Sequence, residues 1–367
     1  MATGQHNVWC LLGKKAGDNT QVLALARAVG SEFKEKRIVA RPWELLTHLS
    51  LGITLAGIDR SASSELAAPW PDLVISAGRR NEPVARWIKQ QSGGRTRLVH
   101  IGRPWAPLDC YDLIVTTPQY FLPQQDNILH NALSLHEPAA SGAGAALQDW
   151  REQFASLPRP WIAVLVGGDS GRFVFTAAKG GRLGNMADEL ARNSGGSLLV
   201  TDSPRTPSAA GDALQSALTA PHFCYRVRSG GDNPYKAVLA LADAFIVTGE
   251  SMSMLSEAAD TRRPLYIFDP GAGEDRWWLL PHAWRYKPLS FRLAMRFGPA
   301  RMRRDVGRIQ AALVDSGRAH WMQREDSSTA VRAIGAAGLR TAESSDGPGA
   351  AQLELARSAE AVRRLLT

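Results

Sequence analysis

Residues 244–269 read AFIVTGESMSMLSEAADTRRPLYIFD, and they carry the strongest structural signal in the chain. The apolar run 245–247 predicts a strand that ends at Thr248-Gly249-Glu250, after which a turn rich in serine and methionine opens a helix. Glu257 lies one turn into that helix, and Pro264 begins a second apolar strand. The N–H groups of a helix N-terminus attract phosphate oxygens, and a nearby carboxylate can accept the hydroxyls of a ribose. The stretch therefore predicts a nucleotide-binding site.

The length and composition describe a folded protein of more than one domain. The chain has 367 residues, which suits two domains of about 150 residues each. Apolar residues make up 44% and charged residues 21%, which is typical of globular proteins. No apolar run approaches the roughly 20 residues that cross a bilayer, and the N-terminus lacks the basic region of a secretory signal. Three dispersed cysteines argue against a disulfide framework, so we expect a cytoplasmic protein.

The net charge of +8 is concentrated in the segment 285–308, which holds eight basic residues and one acid. Its arginines alternate with apolar side chains such as Phe291, Met295 and Phe297. This pattern is typical of a surface that contacts anionic phospholipids, so we expect peripheral association with the inner face of a membrane. The alternative is an interdomain helix whose arginine stems pack and form ion pairs. We expect no nucleic-acid partner, because the sequence contains no recognisable RNA- or DNA-binding module.

Short apolar runs alternate with helical patterns along most of the chain, which predicts an α/β fold with mostly parallel sheets. The predicted strands are 8–12, 73–76, 98–101, 113–115, 161–166, 198–201, 223–227, 244–247 and 265–268. The predicted helices are 19–33, 82–91, 148–154, 182–193, 208–219, 233–242, 253–261, 299–316, 329–337 and 350–366.

The chain contains the same arrangement twice. Residues 8–17, VWCLLGKKAG, and 162–171, IAVLVGGDSG, each run from an apolar strand into a glycine loop that precedes a helix. We therefore predict two Rossmann-like domains, at 1–140 and 161–300. A linker rich in small residues and proline joins them at 141–160, and a helical segment follows at 301–367.

Two Rossmann-like domains with a nucleotide signature in the second resemble the GT-B glycosyltransferases. The segment 251–267 resembles the donor motif of the transferase that adds N-acetylglucosamine in peptidoglycan synthesis. This resemblance implies two parallel sheets that face each other across a cleft, with the donor in the second domain and the acceptor in the first. It assigns Glu257 to the ribose and Ser251 and Ser253 to the phosphates. The alternative is that Ser253 only caps the helix and Glu257 only complements its dipole.

Further motifs give a second resemblance, which covers about 250 residues. In order they are GKKAGDNTQ (13–21), PDLVISAGRR (71–80), HIGRP (100–104), DLIVTTPQY (112–120), GGDSGRF (167–173) and DNPYKAVLALADAFIVTGESMSMLSEA (232–258). They resemble the mitochondrial-fission ELM family, which is named from plants and widespread in proteobacteria. Plant members recruit a dynamin-related protein to the mitochondrial surface, whereas bacterial members lack that partner and are similar to GT-B enzymes. The resemblance implies the GT-B-like fold and leaves open a non-catalytic adaptor.

The donor site is predicted from both halves of the second domain. Glycines 167 and 168 follow a strand and let backbone N–H groups approach a diphosphate, while Arg172 neutralises it in place of a metal ion. The alternative is a tight connection from strand to helix. Asn233 and Tyr235 either line a nucleotide-base pocket or only start a helix. The predicted nucleotide-sugar residues are Gly167, Gly168, Ser170, Arg172, Asn233, Tyr235, Thr248, Glu250, Ser251, Ser253, Met254 and Glu257.

The acceptor side is predicted in the first domain. An inverting transfer needs a base for the attacking hydroxyl, and Asp18 is the first candidate and His100 the second. Asp18 is alternatively a helix N-cap, and a lone histidine at a strand end is commonly structural. Further acceptor-side candidates are Lys14, Gln21, Arg79 and Arg80, of which the two arginines are alternatively a solvated pair.

We therefore expect a metal-independent glycosyltransferase. It would move a sugar from a nucleoside diphosphate sugar, used as co-substrate, to an envelope glycan or lipid-linked acceptor, with no bound cofactor. A non-catalytic adaptor of GT-B fold that binds a protein partner at a membrane surface is the first alternative. A nucleotide-sugar epimerase is the second, although the chain has no Tyr-x-x-x-Lys dyad beside a GxGxxG strand.

Overall fold

In the computed structural model, the described residues are 6–138, 144–271, 281–282, 285–323, 327–339 and 349–367. The chain divides into two compact units. The first comprises residues 1–137, 299–305 and 350–367, and the second comprises residues 138–298 and 306–349. Each unit is built on its own six-stranded sheet, as the repeated strand and glycine-loop pattern predicted.

The first unit has six parallel strands in the order β2-β1-β3-β4-β5-β6. From β1 the chain passes to β2 on one side and later returns to β3 on the other. The loops after β1 and β3 therefore meet at a topological switch point, where open α/β sheets bind ligands. The elements are β1 (Val8–Leu12), α1 (Ala16–Val29), β2 (Phe33–Arg37), α2 (Glu44–Leu51), β3 (Leu73–Ala77), α3 (Glu82–Gln91), β4 (Arg97–Ile101), β5 (Leu113–Thr116) and β6 (Ile128–His130).

The second unit has a matching parallel sheet, in the order β14-β11-β10-β7-β8-β9. Its switch point lies between β7 and β10. The elements are α4 (Gly144–Phe154), β7 (Trp161–Leu165), α5 (Ala177–Ser194), β8 (Ser197–Thr201), α6 (Ser208–Ser216), β9 (His222–Tyr225), α7 (Tyr235–Leu241), β10 (Ala244–Thr248), α8 (Met252–Asp260), β11 (Leu265–Phe268), the antiparallel pair β12 (Pro281–His282) and β13 (Arg285–Tyr286), α9 (Lys287–Phe297), α10 (Gly307–Asp315), β14 (His320–Trp321) and α11 (Ser327–Leu339).

Both faces of each sheet are covered, as an all-parallel sheet requires. In β1, Val8 and Cys10 pack in the same core as Leu25 of α1. Trp9 and Leu11 point to the opposite face and pack with residues of β3 and α3. This alternation follows from the two-residue period of a strand, and burial of both sets makes β1 a central strand.

The last helix, α12 (Ala350–Arg363), returns to the first unit. Leu355, Ala359 and Val362 are buried in the core that contains Leu25. The side-chain amide of Asn131 also donates a hydrogen bond to Ser358 Oγ (3.0 Å). The segment 301–367, predicted as one C-terminal helical region, is therefore divided between the two units.

Some helices and strands have the bounds predicted from the sequence, and others differ for local reasons. The bounds of β1 and α3 are those predicted. The helix predicted at 299–316 begins only at Gly307, because Pro299 opens an irregular segment with a short 3₁₀ turn at Ala300–Met302. Part of the predicted linker, 141–143, lies outside the described residues, and the remainder begins with α4. Among the helices that the structure describes, none is long and apolar enough to cross a membrane.

Candidate functional site

The loops that follow β7 and β10 are joined at the switch point of the second sheet. The Gly167 N–H group donates to Thr248 Oγ1 (2.8 Å), and the Gly168 N–H group donates to Glu250 Oε1 (2.6 Å). Thr248 Oγ1 in turn donates to the same Glu250 oxygen (2.9 Å). The glycine loop and the 244–269 segment, which are some 80 residues apart in sequence, thus lie together at one edge of the sheet.

This contact changes the role expected for the two glycines. Their N–H groups already donate to Thr248 and Glu250, so in this arrangement they do not point at a diphosphate. Gly168 has a φ of +98°, and a Cβ there would lie 2.6 Å from the backbone nitrogen of Thr206. Glycine is needed because the loop packs on the backbone that follows β8, and the predicted approach of these amides to a ligand is replaced by a structural role.

Glu250 is buried, and its carboxylate holds the two loops together by accepting hydrogen bonds from both. Its side chain is fully buried, and burial raises the pKa of its carboxyl group above the ordinary value. The Oε2 atom has no hydrogen-bond partner in the part of the chain that the structure describes. Thr248 is also fully buried. Both residues were predicted to contact the nucleotide, and both instead hold the two loops together.

Arg205 is a functional candidate that sequence reasoning missed. It lies in the loop between β8 and α6, and its side chain is exposed. Its guanidinium group lies 3.3 Å from the Asp169 carbonyl oxygen and 3.4 Å from Ser251 Oγ, so it spans the two joined loops. Because this loop follows the carboxyl end of β8, the strand-end rule applied to 198–201 would have found it.

The helix α8 begins at Met252, directly after the joined loops. The first N–H groups of a helix have no partner within the helix and carry its positive dipole end, so the N–H groups of residues 252–254 mark the positive end of α8. Ser251 is the N-cap, although its side chain makes no capping hydrogen bond. Ser253 and Glu257 are four residues apart and therefore share one helix face, and both are half-buried.

Tyr235 and Glu257 are in direct contact. The Tyr235 hydroxyl donates to Glu257 Oε2 (2.5 Å) and fixes the orientation of the carboxylate. Burial, with the neighbouring Glu257 charge, raises the pKa of Tyr235 well above its ordinary value, so it stays protonated. Asn233 is exposed, and its side-chain oxygen accepts from the Tyr235 N–H group (3.0 Å), which stabilises the start of α7.

The remaining donor-side candidates lie around the same edge. Arg172 is exposed, and its guanidinium carbon lies 4.8 Å from the centre of the Phe173 ring. Ser170 closes a tight turn with Phe173 through two backbone hydrogen bonds. Met254 is half-buried in the first turn of α8.

The first unit has a cavity of about 120 Å³ at its own switch point, after β1 and β3. It is lined by Gly13, Lys14, Lys15, Asp18, Ala77, Gly78, Arg79, Arg80 and Asn81. Four of these side chains are basic, and Asn81 Oδ1 is buried with no hydrogen-bond partner in the described residues. Three of the predicted acceptor-side residues, Lys14, Arg79 and Arg80, are thus brought together with Asp18.

Asp18 is not the N-cap of α1, because the helix begins two residues earlier at Ala16. Its carboxylate lies 3.8 Å from Lys15 Nζ, and a Cβ on Gly78 would lie 2.6 Å from Asp18 Oδ2. Arg79 binds the buried carboxylate of Glu44 through two hydrogen bonds (2.7 and 2.8 Å), and Arg80 adds a third (3.0 Å). Both arginines are therefore ion-paired, although Arg80 stays partly exposed, and the trio keeps a net positive charge.

Two candidates of the first unit do not reach this cavity. His100 is fully buried, with Nδ1 3.2 Å from Ser76 Oγ, and burial lowers its pKa to about 3. This position contradicts the predicted role as a base, because β4 turns the side chain into the core. Gln21 donates to the Gly17 carbonyl oxygen within α1 (3.2 Å). In the described residues, no group of three or more histidine, cysteine, aspartate or glutamate side chains is arranged to hold a metal ion.

Comparisons with known proteins identify a matching family model and related sequences. A family model described as "Mitochondrial fission ELM1" matches residues 16–283. The mitochondrial fission protein ELM1 of Arabidopsis thaliana is 26% identical over 244 residues, which are 60% of this chain and 56% of that protein. The chain thus matches little more than half of the length of that relative. The uncharacterised protein RP120 of Rickettsia prowazekii (strain Madrid E) is 24% identical over 298 residues, covering 72% of this chain and 83% of that protein.

Among solved structures, a UDP-GlcNAc 2-epimerase from Methanocaldococcus jannaschii has a similar fold. The match has a TM-score of 0.52 at 10% identity and covers 98% of this chain and 99% of that one. At this identity the likeness concerns the fold alone. Two units, each with a parallel Rossmann-like sheet, make the fold GT-B-like, as the sequence predicted.

Proposed function

This chain belongs to the mitochondrial fission ELM1 family, and from its GT-B-like fold and its site we propose that it is a metal-independent glycosyltransferase. The donor is a nucleoside diphosphate sugar, and the acceptor is an envelope glycan or a lipid-linked glycan. The family description names a cellular process rather than a reaction, so the proposed chemistry rests on the two strand-end sites.

One observation carries the donor assignment. The exposed guanidinium group of Arg205 spans the two joined loops, directly before the N-terminus of α8. A cation and a helix N-terminus together suit a diphosphate, since both stabilise negative charge without a metal ion. On α8, the Glu257 carboxylate is oriented by the Tyr235 hydroxyl of α7, and this carboxylate suits the two hydroxyls of a ribose. Ser253, on the Glu257 face, is assigned to the phosphates, and Arg172 supplies a second cation.

The acceptor is assigned to the cavity after β1 and β3. Its basic lining suits an anionic acceptor, such as a phosphate-linked glycan, and Lys14 and the arginine pair at 79–80 supply the charge. Asp18 has a carboxylate at the cavity wall and is the proposed base for the attacking hydroxyl.

The donor site predicts that Arg205→Ala weakens nucleotide binding about tenfold or more, because hydrogen bonds to charged groups contribute about 1.5–3 kcal/mol. Calorimetry against UDP, GDP, ADP and CMP sugars measures the dissociation constants. We expect one nucleotide to bind the wild type and to stabilise it by about 2.7 kcal/mol at a hundredfold excess over its dissociation constant.

The matched control is Arg151→Ala, which removes an exposed arginine from α4 in the same unit. It should bind as the wild type does. If no nucleotide binds, the donor proposal is wrong and a non-catalytic adaptor is favoured. If the sugar nucleotide binds and is converted to its epimer without release of nucleoside diphosphate, the enzyme is an epimerase.

The acceptor site predicts that Asp18→Asn lowers the rate of nucleoside diphosphate release about a hundredfold, since a general base contributes roughly 10²–10⁴. Donor affinity should be unchanged. The measurement is turnover with a panel of free and lipid-linked glycans, and Asp126→Asn, an exposed carboxylate of the same unit, is the control. Full turnover by Asp18→Asn removes this residue as the base and leaves the donor site intact.

The basic segment 285–308 suits contact with an anionic lipid surface, where a lipid-linked acceptor would lie. On α9, Arg292, Leu293, Arg296 and Phe297 are all exposed, so the helix presents cations beside apolar side chains. We include a peripheral membrane contact through 285–308 in the proposal, because anionic headgroups attract such a surface.

A further inference from the structure

The helix α2 of the first unit has its polar and apolar faces reversed. Glu44 and His48, four residues apart, point inward, and each is only 8% exposed. Leu46 and Leu49 lie on the opposite face and are 69% and 53% exposed. A surface helix of a soluble protein normally buries its apolar stripe and exposes its charged one. Two features therefore need an explanation: the ionisable side chains that face inward and the apolar side chains that face outward.

On the inner side, ion pairs fix the orientation. The Glu44 carboxylate accepts hydrogen bonds from both Arg79 and Arg80. The His48 ring packs 6.2 Å from the Trp105 ring, measured between centroids. Burial, followed by the nearby Arg79 charge, lowers the pKa of His48, so it is neutral at pH 7. Turning the leucines inward would leave the arginine pair without its carboxylate, which makes the observed orientation the stable one.

On the outer side, the apolar side chains form one patch. Trp43 is 49% exposed, and Leu45 and Ile53 are each 38% exposed, so five large apolar side chains within eleven residues face outward with the two leucines. Isolated exposed apolar residues are ordinary, but five of them within eleven residues, three on α2 and two flanking it, mark a contact surface. We call residues 43, 45, 46, 49 and 53 the α2 patch.

An arginine lies at the border of the α2 patch, with the Asp59 carboxylate near it. The Arg41 guanidinium lies over the Trp43 ring (5.4 Å to the centroid), and Arg41 is exposed. Arg80 and Arg301 lie on the inner side of the helix, where Arg80 binds Glu44 and Arg301 reaches the Trp105 ring (5.5 Å) that packs on His48. The one carboxylate on α2, Glu44, is buried and paired. An apolar face with arginine and tryptophan at its border complements the boundary between acyl chains and anionic headgroups.

We propose that the α2 patch lies in the surface of an anionic lipid bilayer and docks the first unit on it. The leucines enter the acyl boundary, while Arg41, beside Trp43, faces the headgroup phosphates. The surface lies in a different unit from α9. It does not depend on the proposed sugar transfer, because lipid contact requires neither nucleotide nor acceptor.

The test is flotation of the full chain with vesicles of neutral phosphatidylcholine, and with vesicles that also contain 30% phosphatidylserine, a content on the order of that in anionic leaflets. The wild type should bind the anionic vesicles and lose binding in high salt. The double variant Leu46→Glu/Leu49→Glu should lower the partition constant at least tenfold, because two apolar side chains are replaced by anions. Leu46→Ser/Leu49→Ser should give a smaller loss of the same sign.

Leu353→Glu is the matched control, because Leu353 is 58% exposed on α12 of the same unit. It should float as the wild type does, and an unchanged unfolding midpoint would verify that each variant is folded. Leu293→Glu/Phe297→Glu separately tests the α9 surface. Wild-type flotation by the double α2 variant overturns the proposal. So does a wild-type dimer in light scattering that the α2 variant dissociates, since a second copy of the chain would then cover the patch.

Discussion

Gly180→Ala is expected to destabilise the second unit by about 2–3 kcal/mol, although alanine is the better helix former by about 1 kcal/mol. Gly180 lies in α5 where this helix crosses α6. A Cβ there would overlap the carbonyl oxygen of Ala210 and lie 2.8 Å from its carbonyl carbon. Those atoms are backbone of α6 and cannot rotate away, so the two helices would have to separate.

The neighbouring glycine provides the control. A Cβ on Gly181 would have its nearest neighbour, the Ala213 carbonyl oxygen, at 4.0 Å. Gly181→Ala should therefore show only the gain in helix propensity, up to about 1 kcal/mol. Urea unfolding followed by circular dichroism measures both variants, with the two units fitted as separate transitions where they resolve. Equal effects at the two positions would mean that α5 and α6 do not cross this closely.

The second large effect is a pH dependence that arises from Glu82. This side chain is fully buried at the start of α3, where its carboxylate accepts hydrogen bonds from the N–H groups of Trp105 and Ala106, each at 2.9 Å. Burial raises its pKa from 4.5 to about 7, and the two backbone hydrogen bonds only partly oppose that effect.

Between pH 4.5 and 7, the folded chain holds a proton on Glu82 that the unfolded chain releases. The free energy of unfolding therefore falls as the pH rises through this window, by about 3 kcal/mol in total, and it stays lower above pH 7. The contribution of protonated Glu82 to the free energy of unfolding is fully present only below pH 4.5, the pKa of this group in the unfolded chain.

Glu82→Gln isolates this contribution, because histidines and other carboxyl groups titrate in the same range. The difference in unfolding free energy between wild type and variant should shift by about 3 kcal/mol from pH 5 to pH 8, to the disadvantage of the wild type. Urea titrations at four pH values in this range measure it. A difference that stays constant with pH would show that Glu82 ionises at an ordinary pKa.

The regular part of the fold could be predicted because strands with continuous apolar runs stand out. β1 and β11 have their predicted bounds, and both are central enough to be buried on both faces. β2 reads FKEKR and was missed, since it lies at the sheet edge, where exposed charges replace the apolar run. The helix α2 was missed because a periodic pattern assumes that apolar residues face inward, whereas in α2 the leucines face outward and the ionisable residues face inward.

The candidate site could be predicted in its location and less well in its contacts. The strand-end rule brought the glycine loop and the 248–257 segment together. It did not predict that the N–H groups of Gly167 and Gly168 would donate to Thr248 and Glu250, because hydrogen-bond partners depend on loop conformation. Arg205 has no local motif, and it is found only when the strand-end rule is also applied to β8, which pairs in parallel with β7.

The return of α12 to the first unit governs the order in which the chain can fold during synthesis. Residues 355, 359 and 362 complete the core beside α1, and Arg363 donates to the carbonyl oxygens of Ala28 and Val29 at the end of that helix. These residues are translated after the whole of the second unit. On the ribosome the core of the first unit therefore cannot be completed until the second unit has emerged, and one side of α1 stays uncovered until then. An N-terminal fragment of residues 1–137 would keep that apolar surface exposed to solvent and would be prone to aggregate.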